Sequence, residues 1–132
     1  MDNLFDRKSI EGSARYFQNC IRNGDGENAL DCFDEEAIYI TGIGTFVTGK
    51  ENIRIALQQV CGLKPNLQAQ RSKGFTVGNI TAWVDEWTLK AVLPDGTKLE
   101  LNGTSSDILK KLPNGNWVHL VDNPYGAEYL HQ

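Results

Sequence analysis

Apolar residues in the first part of the chain recur at helical spacing. Between Ser9 and Asn23, apolar side chains lie three and four residues apart, which predicts an amphipathic helix that Gly24 ends. Asp25 is a residue type that caps helices, and a second helix is therefore predicted from there to about Glu35. The chain is thus expected to begin with a pair of helices.

A glycine turn and two short apolar segments precede a third helix. The segments 37–41 and 45–48 are predicted to be short strands, joined by the turn Gly42-Ile43-Gly44. Residues 48–51 have capping-box spacing, and the apolar stripe that follows them predicts a helix that ends at Gly62.

After Pro65 the pattern changes from helical to alternating. Turn sequences separate the alternating segments, and Gly78-Asn79 is typical of a two-residue hairpin loop. Four long strands are predicted, at residues 67–77, 80–93, 98–112 and 116–122. Successive hairpins give an antiparallel meander, with one face available to the three helices. The pattern therefore predicts an α+β fold.

Asp107 interrupts a strand face that is otherwise apolar or small. The residues that share its face are Leu99, Leu101, Gly103, Ser105 and Leu109. Strand side chains alternate between faces, so the carboxyl group is predicted to point inward. A buried carboxyl must be paired, hydrogen-bonded or protonated, because an isolated buried charge is strongly unfavourable. Asp107 is therefore a candidate catalytic residue, and the alternative is a structural acid that accepts hydrogen bonds from its neighbours.

Composition and charge exclude several classes of protein. Hydrophobic residues make up 40% and charged residues 23% of the 132 residues, as in an ordinary soluble domain. A formal net charge of -4 argues against a nucleic-acid or anionic-membrane partner, since both need a basic surface. Cys20, Cys32 and Cys61 have no metal-ligand spacing and fit idle thiols in a reducing compartment. No leader or membrane span is evident, and we expect a cytoplasmic protein.

Several short segments, taken in order, resemble a known superfamily. They are 23–25, 33–37, 48–53, 103–111, 116–117 and 121–126. Together they resemble the SnoaL-like branch of the nuclear transport factor 2-like superfamily, which is related to ketosteroid isomerase, scytalone dehydratase and polyketide cyclases. The resemblance implies one domain over residues 1–132, with a core at about 9–126. It also implies a cone-shaped, curved, mostly antiparallel sheet with three N-terminal helices on its concave face.

The resemblance also allows a residue-by-residue comparison with the isomerase, whose site holds a protonated aspartic acid, a tyrosine and an aspartate base. Asp107 matches the protonated acid. The tyrosine position falls on Phe17, with Tyr16 one residue away, and the base position falls on Thr41. A threonine hydroxyl does not serve as a base near neutral pH, which argues against steroid isomerisation. Epoxide hydrolases of the same superfamily use an Arg-x-Asp pair. The corresponding residues here are Ser105-Ser106-Asp107, which contain no arginine.

His119 is the candidate partner of Asp107, because dehydratases and cyclases of the superfamily pair an aspartate with a histidine or tyrosine. An imidazole titrates near physiological pH, so the two would form an acid–base couple. His119 points into the cavity if it shares the inner face with Trp117. The alternative is that Val118 and Leu120 form the inner face and His119 lies in solvent.

Aromatic residues are candidates for the walls of a ligand pocket. Trp83 and Trp87 share a strand face with Asp85, and flat aromatic walls suit a planar ligand, although core packing is the commoner use of tryptophan. The other candidate ligand-binding residues are Phe17, Tyr39 and Ser105. Tyr39 and Arg71 either reach the cavity or lie on the surface. Asp122 and Asn123 are expected to close the last strand by turn-type hydrogen bonds.

Two functions fit these residues. The first is a pocket protein that binds a small apolar or aromatic metabolite and isomerises, cyclises or dehydrates it. Asp107 would then act as the acid, His119 or Tyr16 as its helper, and no metal, nucleotide or other cofactor is expected. The alternative is a non-catalytic dimeric binding or assembly module. A homodimer is expected in either case, from the resemblance and from an open sheet face that carries Val84, Val92 and Ile108.

Overall fold

The computed structural model describes residues 4–130, so the outermost residues of the predicted 1–132 domain, 1–3 and 131–132, lie outside the described part. The helices are α1 (Ile10–Arg22), α2 (Gly26–Leu30) and α3 (Lys50–Cys61). The strands are β1 (Phe33–Gly42), β2 (Thr45–Thr48), β3 (Asn66–Val77), β4 (Ile80–Val92), β5 (Lys98–Lys111) and β6 (Trp117–Asp122). A short 3-10 helix, Gly126–Leu130, follows β6.

The six strands form one curved sheet in the order β2-β1-β6-β5-β4-β3. Strands β3 to β6 form the predicted antiparallel meander. β1 pairs with β2 in antiparallel orientation and with β6 in parallel orientation, which brings the two short strands into the same sheet. The predicted α+β class with a curved, mostly antiparallel sheet is confirmed, and the sheet is not closed into a barrel.

Local capping explains where the first two helices begin. Two predictions about the helices were wrong. The Ser9 hydroxyl accepts a hydrogen bond from the backbone of α1, and Asp25 does the same for α2. However, α2 ends at Leu30, because the chain from Phe33 onward is already in β1. The capping box predicted at 48–51 is not formed, because the N-cap residue of α3 is Gly49, which has no side chain to make the capping hydrogen bond.

The helices pack on the concave side of the sheet. One cluster of buried side chains joins all three helices to β1, and it includes Ile21, Leu30, Ile53 and Leu57. A second cluster joins α1 to the middle of the sheet through Ala14, Trp83, Leu109 and Trp117. None of the helices within residues 4–130 has the length and apolar character that a bilayer crossing requires.

An irregularity in β6 changes which of its side chains point inward. Leu109 on β5 pairs with His119, but the next residue along, Ile108, pairs with Val121. Between these two pairs, β6 contains one residue more than β5, and such an extra residue in one strand defines a β-bulge. As a result, His119 and Asp122 both lie on the concave side, although they are three residues apart.

A second bulge, in β3, also changes which side chains of its strand point inward. Ala69 pairs with Trp87, and Ser72 pairs with Asp85, so three steps on β3 match two steps on β4. The bulge places Ser72 beside Asp85 on the concave side. It also leaves Arg71 outside, where its guanidinium pairs with Glu86.

The convex face of the sheet exposes apolar side chains. Phe75 is 63% exposed, Val84 39% and Val92 61%. Ile108, which was predicted to share this exposure, is half-buried.

Candidate functional site

A cavity of about 260 Å³ lies between the concave face of the sheet, α1 and α3. The backbone register arranges its lining in successive rows, because inner residues of paired strands are neighbours. His119 lies at the closed end, and Trp87, Leu89 and Leu101 lie towards the open end. Leu101 is 43% exposed, which marks the mouth of the cavity. Asp107, Asp122 and His119 are therefore deep in the cavity, whereas the row of the sheet at the mouth is apolar.

One row across the sheet carries the acidic groups. Tyr39 on β1 pairs with Asp122 on β6, and Trp83 on β4 pairs with Asp107 on β5. The two carboxyl groups are neighbours in this row, and each residue is only 5% exposed. The inward position predicted for Asp107 is confirmed by its burial and by its place in the cavity lining.

Asp107 and Asp122 form a hydrogen-bonded carboxyl pair. One oxygen of Asp107, Oδ1, also accepts a hydrogen bond of 2.8 Å from the backbone N–H of Asn123. Burial raises the pKa of Asp122 to about 7. Burial and the charge of Asp122 raise the pKa of Asp107 well above its ordinary value. The pair therefore keeps a proton near neutral pH, and this proton is bound more tightly by Asp107 than by Asp122.

His119 completes the group, and it points inward as one of the two sequence alternatives predicted. Its Nδ1 is 3.3 Å from the backbone oxygen of Cys32, and because a carbonyl only accepts, Nδ1 carries the hydrogen. The free nitrogen, Nε2, lies 4.0 Å from Oδ2 of Asp107. Burial lowers the pKa of His119, so the ring is neutral. Phe17 and Phe33 hold the ring from two sides, with centroid distances of 5.1 and 5.4 Å.

The role predicted for Asp122 was wrong, whereas that of Asn123 was right. Asp122 was expected to close the strand, but the β6 bulge turns its carboxyl group into the cavity. Asn123 does form the turn: its Oδ1 accepts hydrogen bonds from the backbone N–H groups of Tyr125 and Gly126. Strict alternation along β6 could not have found Asp122, because the extra residue reverses the parity.

A second buried carboxylate, Asp85, lies in the cavity wall, and both of its oxygens accept hydrogen bonds. Its Oδ2 accepts from Nη1 of Arg15 at 3.1 Å and from Nε2 of Gln18 at 2.9 Å. Its Oδ1 accepts from the Ser72 hydroxyl at 2.7 Å. Asp85 was not a predicted site residue, although its shared face with Trp83 was visible in the sequence.

The two tryptophans lie in the cavity wall against glycines. The Trp87 ring covers Gly103, where a Cβ would lie 2.9 Å from Cζ2 of the indole, and its Nε1 donates to the Pro124 oxygen at 2.9 Å. The Trp83 ring covers Gly74 in the same way. Its Nε1 is buried and has no hydrogen-bond partner among residues 4–130.

The remaining predicted residues divide into two groups. Phe17, Tyr39 and Ser105 line the cavity. Burial raises the pKa of Tyr39, so its hydroxyl keeps its proton. Tyr16 is absent from the lining: its ring lies under the guanidinium of Arg7, 5.1 Å from the centroid. The structure therefore separates Tyr16 from Asp107.

The same acidic group has a geometry that a metal ion could use. One ligand atom each from Asp107, His119 and Asp122 lies within 4.8 Å of the others. The Nδ1–H of His119 is directed at a backbone carbonyl, as it is in metal-bound histidines. A divalent ion would have to displace the proton of the carboxyl pair, so metal binding and acid–base use compete for one place.

Comparison with known proteins supports the fold. No family model and no curated protein matches the sequence. Solved structures do match. An NTF2-like superfamily protein from Salmonella enterica has a TM-score of 0.74 at 22% identity, over 88% of this chain and 86% of that chain. A candidate scytalone dehydratase from Novosphingobium aromaticivorans has a TM-score of 0.79 at 14% identity, over 91% and 83%. The association domain of CaMKII from C. elegans has a TM-score of 0.65 at 14% identity, over 83% and 87%.

The NTF2-like fold that the sequence segments predicted is thereby confirmed. At these identities the likeness concerns the fold alone, and the same fold is found in a candidate dehydratase and in an association domain. The chemistry of this chain must therefore be argued from its own cavity.

Proposed function

We propose that the protein binds a small, largely apolar carbonyl compound in the cavity and catalyses proton transfer on it. The observation that supports this most directly is the carboxyl pair Asp107–Asp122 beside the neutral ring of His119, at the bottom of an apolar cavity. A base with a pKa of about 7, as burial gives Asp122, suits catalysis near neutral pH.

The proposed step is the removal of a proton next to a carbonyl group. The C–H bond breaks, the proton moves to the ionised carboxylate of Asp122, and the electron pair of that bond forms the C=C bond of an enolate while the π electrons of the C=O bond move to its oxygen. The carbonyl oxygen of the substrate accepts a hydrogen bond from protonated Asp107. In the free protein, Asp107 donates this hydrogen bond to Asp122. The hydroxyl of Tyr39, which keeps its proton, provides a further donor on the same row of the sheet. Isomerisation, dehydration and aldol cyclisation can all begin with this step.

The test is solvent exchange of carbon-bound hydrogen. The protein is incubated in D₂O with 2-tetralone, an aromatic ketone with acidic C–H bonds, and loss of the proton signals is followed by NMR. We expect the wild type to accelerate exchange, with a rate that rises with pH as Asp122 ionises. Asp122→Asn should slow exchange by about a hundredfold or more, which is the usual contribution of a general base. The matched control is Ser106→Ala, since Ser106 is exposed on the opposite face of β5.

Two results would contradict the proposal. One is exchange in the presence of wild-type protein no faster than with Asp122→Asn. The other is exchange that is abolished by EDTA and restored by Zn²⁺, which would assign Asp107, His119 and Asp122 to a metal ion instead.

A second function is favoured by a separate observation, the exposed apolar convex face. Phe75, Val84 and Val92 would be covered in a homodimer, and an association domain has the same fold. A dimer without exchange activity or ligand binding would favour the non-catalytic assembly module.

A further inference from the structure

The cavity wall contains a second polar patch, which we call the Asp85 patch and define as Gln18, Asp85 and Ser105. The three residues are 8%, 3% and 5% exposed, and all three line the cavity. Ser105 and Asp85 are paired across β5 and β4, one inner row nearer the mouth than Asp107. The proton-transfer step described above uses none of them.

The hydrogen bonds of the patch leave a defined set of groups for a ligand. Gln18 uses one amide hydrogen on Asp85 and its oxygen on Arg15, so one amide hydrogen is left. Ser105 donates its hydrogen to the backbone oxygen of Asp85 at 3.2 Å, so its oxygen can still accept. One lone pair of Asp85 Oδ1 also remains, beside the bond from Ser72. The patch thus offers one donor and two acceptors.

This set matches a hydroxyl group better than other polar groups. A hydroxyl both donates and accepts, so it can donate to Ser105 or Asp85 and accept from Gln18. A ligand carboxylate, which only accepts, would find one donor in the patch and would face its two acceptors. The charge of Asp85 is already balanced by Arg15, so a ligand ammonium would gain little from the patch.

The backbone fixes the distance between the patch and the acid pair. Ser105 and Asp107 are two residues apart on one strand face, which separates their Cα atoms by about 7 Å. A ligand that contacts both must therefore carry two oxygen atoms at about that separation, on a rigid frame thin enough to lie along β5.

We propose that the Asp85 patch is a subsite for a ligand hydroxyl, and that the substrate carries this hydroxyl about 7 Å from the oxygen that contacts Asp107. This inference rests on the proposed function for the position of the first oxygen, at Asp107. The second oxygen binds between Gln18 and Ser105. The apolar remainder of the ligand points past Trp87 towards Leu101 at the mouth.

The test compares two probes that differ by one hydroxyl group. Affinities of 2-naphthol and 2,6-dihydroxynaphthalene are measured by fluorescence titration. We expect the diol to bind the wild type about five- to tenfold more tightly, as one or two additional hydrogen bonds allow. Ser105→Ala should reduce that ratio to about two or less, and Gln18→Leu should reduce it further. Ser106→Ala, the matched serine on the exposed face, should keep the wild-type ratio.

The outcomes separate this inference from the proposed function. If the wild type binds the two probes equally, or if Ser105→Ala and Gln18→Leu both keep the wild-type ratio, the hydroxyl subsite is refuted, whatever the exchange assay shows. If Asp107→Asn leaves 2-naphthol binding unchanged, the first oxygen does not lie at the acid pair and both statements fail. Should Gln18→Leu not fold, the Ser105→Ala and Ser106→Ala pair still decides the matter.

Discussion

Replacing Asp122 with asparagine should stabilise the protein at neutral and alkaline pH. In the unfolded chain an aspartate ionises near pH 3.9, whereas burial in the folded chain holds the pKa of Asp122 at about 7. Between these values the unfolded state has lost a proton that the folded state keeps. Stability from this group is therefore complete below about pH 4 and is lost as the pH rises towards 7. Asparagine does not ionise, so Asp122→Asn removes that loss and keeps a similar shape.

The magnitude follows from the same two pKa values. A difference of about 3 units corresponds to about 4 kcal/mol, reached at about pH 8, with a slope of about 1.4 kcal/mol per pH unit below 7. This is an upper bound, because the amide also has to be desolvated in the folded state. The contribution of His119 is present in both proteins and cancels in the difference between them.

The assay is urea unfolding of the wild type and Asp122→Asn at several pH values between about 4.5 and 8. Asp85→Asn is the matched control, because it is the same change at another buried aspartate of the concave face. There the opposite sign is expected: Arg15 loses its buried partner, at a cost of about 2 kcal/mol. That cost is moderate because the Arg15 side chain is 22% exposed and also lies near Glu11.

The reasoning about the carboxyl pair is refuted if Asp122→Asn is less stable than the wild type at pH 7 to 8. It is also refuted if the difference between the two proteins does not change with pH. Either result would mean that the Asp122 carboxyl group is a stabilising structural acid.

Three further predictions concern other parts of the molecule. His119 should stay neutral, with its hydrogen on Nδ1, even at pH values below the ordinary imidazole pKa of about 6.5, which ¹⁵N NMR of the ring nitrogens measures. Protonation of the ring at the ordinary pKa would contradict this. Trp87→Phe should cost about 1 kcal/mol in thermal unfolding, because the hydrogen bond to Pro124 is lost; an unchanged melting temperature would argue against that bond. Phe75→Glu on the convex face should give a folded monomer in analytical ultracentrifugation, with Ile55→Glu, at an exposed apolar residue of α3, as the control that keeps the dimer. A wild type that is already monomeric would disprove the dimer.

The fold could be predicted well from the sequence because its signals are local and periodic. The helical stripe of α1, the turn at Gly78-Asn79 and the alternation in β5 each specify one element, and all three elements form as predicted. The helix predicted to reach Glu35 failed, because pairing of β1 with the distant strand β6 outweighs local helical spacing. Such long-range pairing leaves no trace in a short sequence window.

The candidate site could be predicted only where strand alternation is regular. Asp107 lies on an unbroken part of β5 and was found by parity, and so were Trp83 and Ser105. The position of Asp122 depends on a bulge in β6, and parity assigns it to the wrong face. The position of Tyr16 depends on the exact rotation of α1, which places its ring beside Arg7 instead of in the cavity.

The β6 bulge lets two side chains that are three residues apart face the same cavity. Residues 120 and 121 together occupy the place of one residue opposite β5, so deleting residue 120 would restore regular alternation and still leave Asp122 on the concave side, opposite Asp107. A relative whose last strand is one residue shorter could therefore hold the same carboxyl pair, with the second acid two residues after its histidine. An alignment of this strand has to allow a one-residue gap before the second acid, or the shared carboxyl pair is missed.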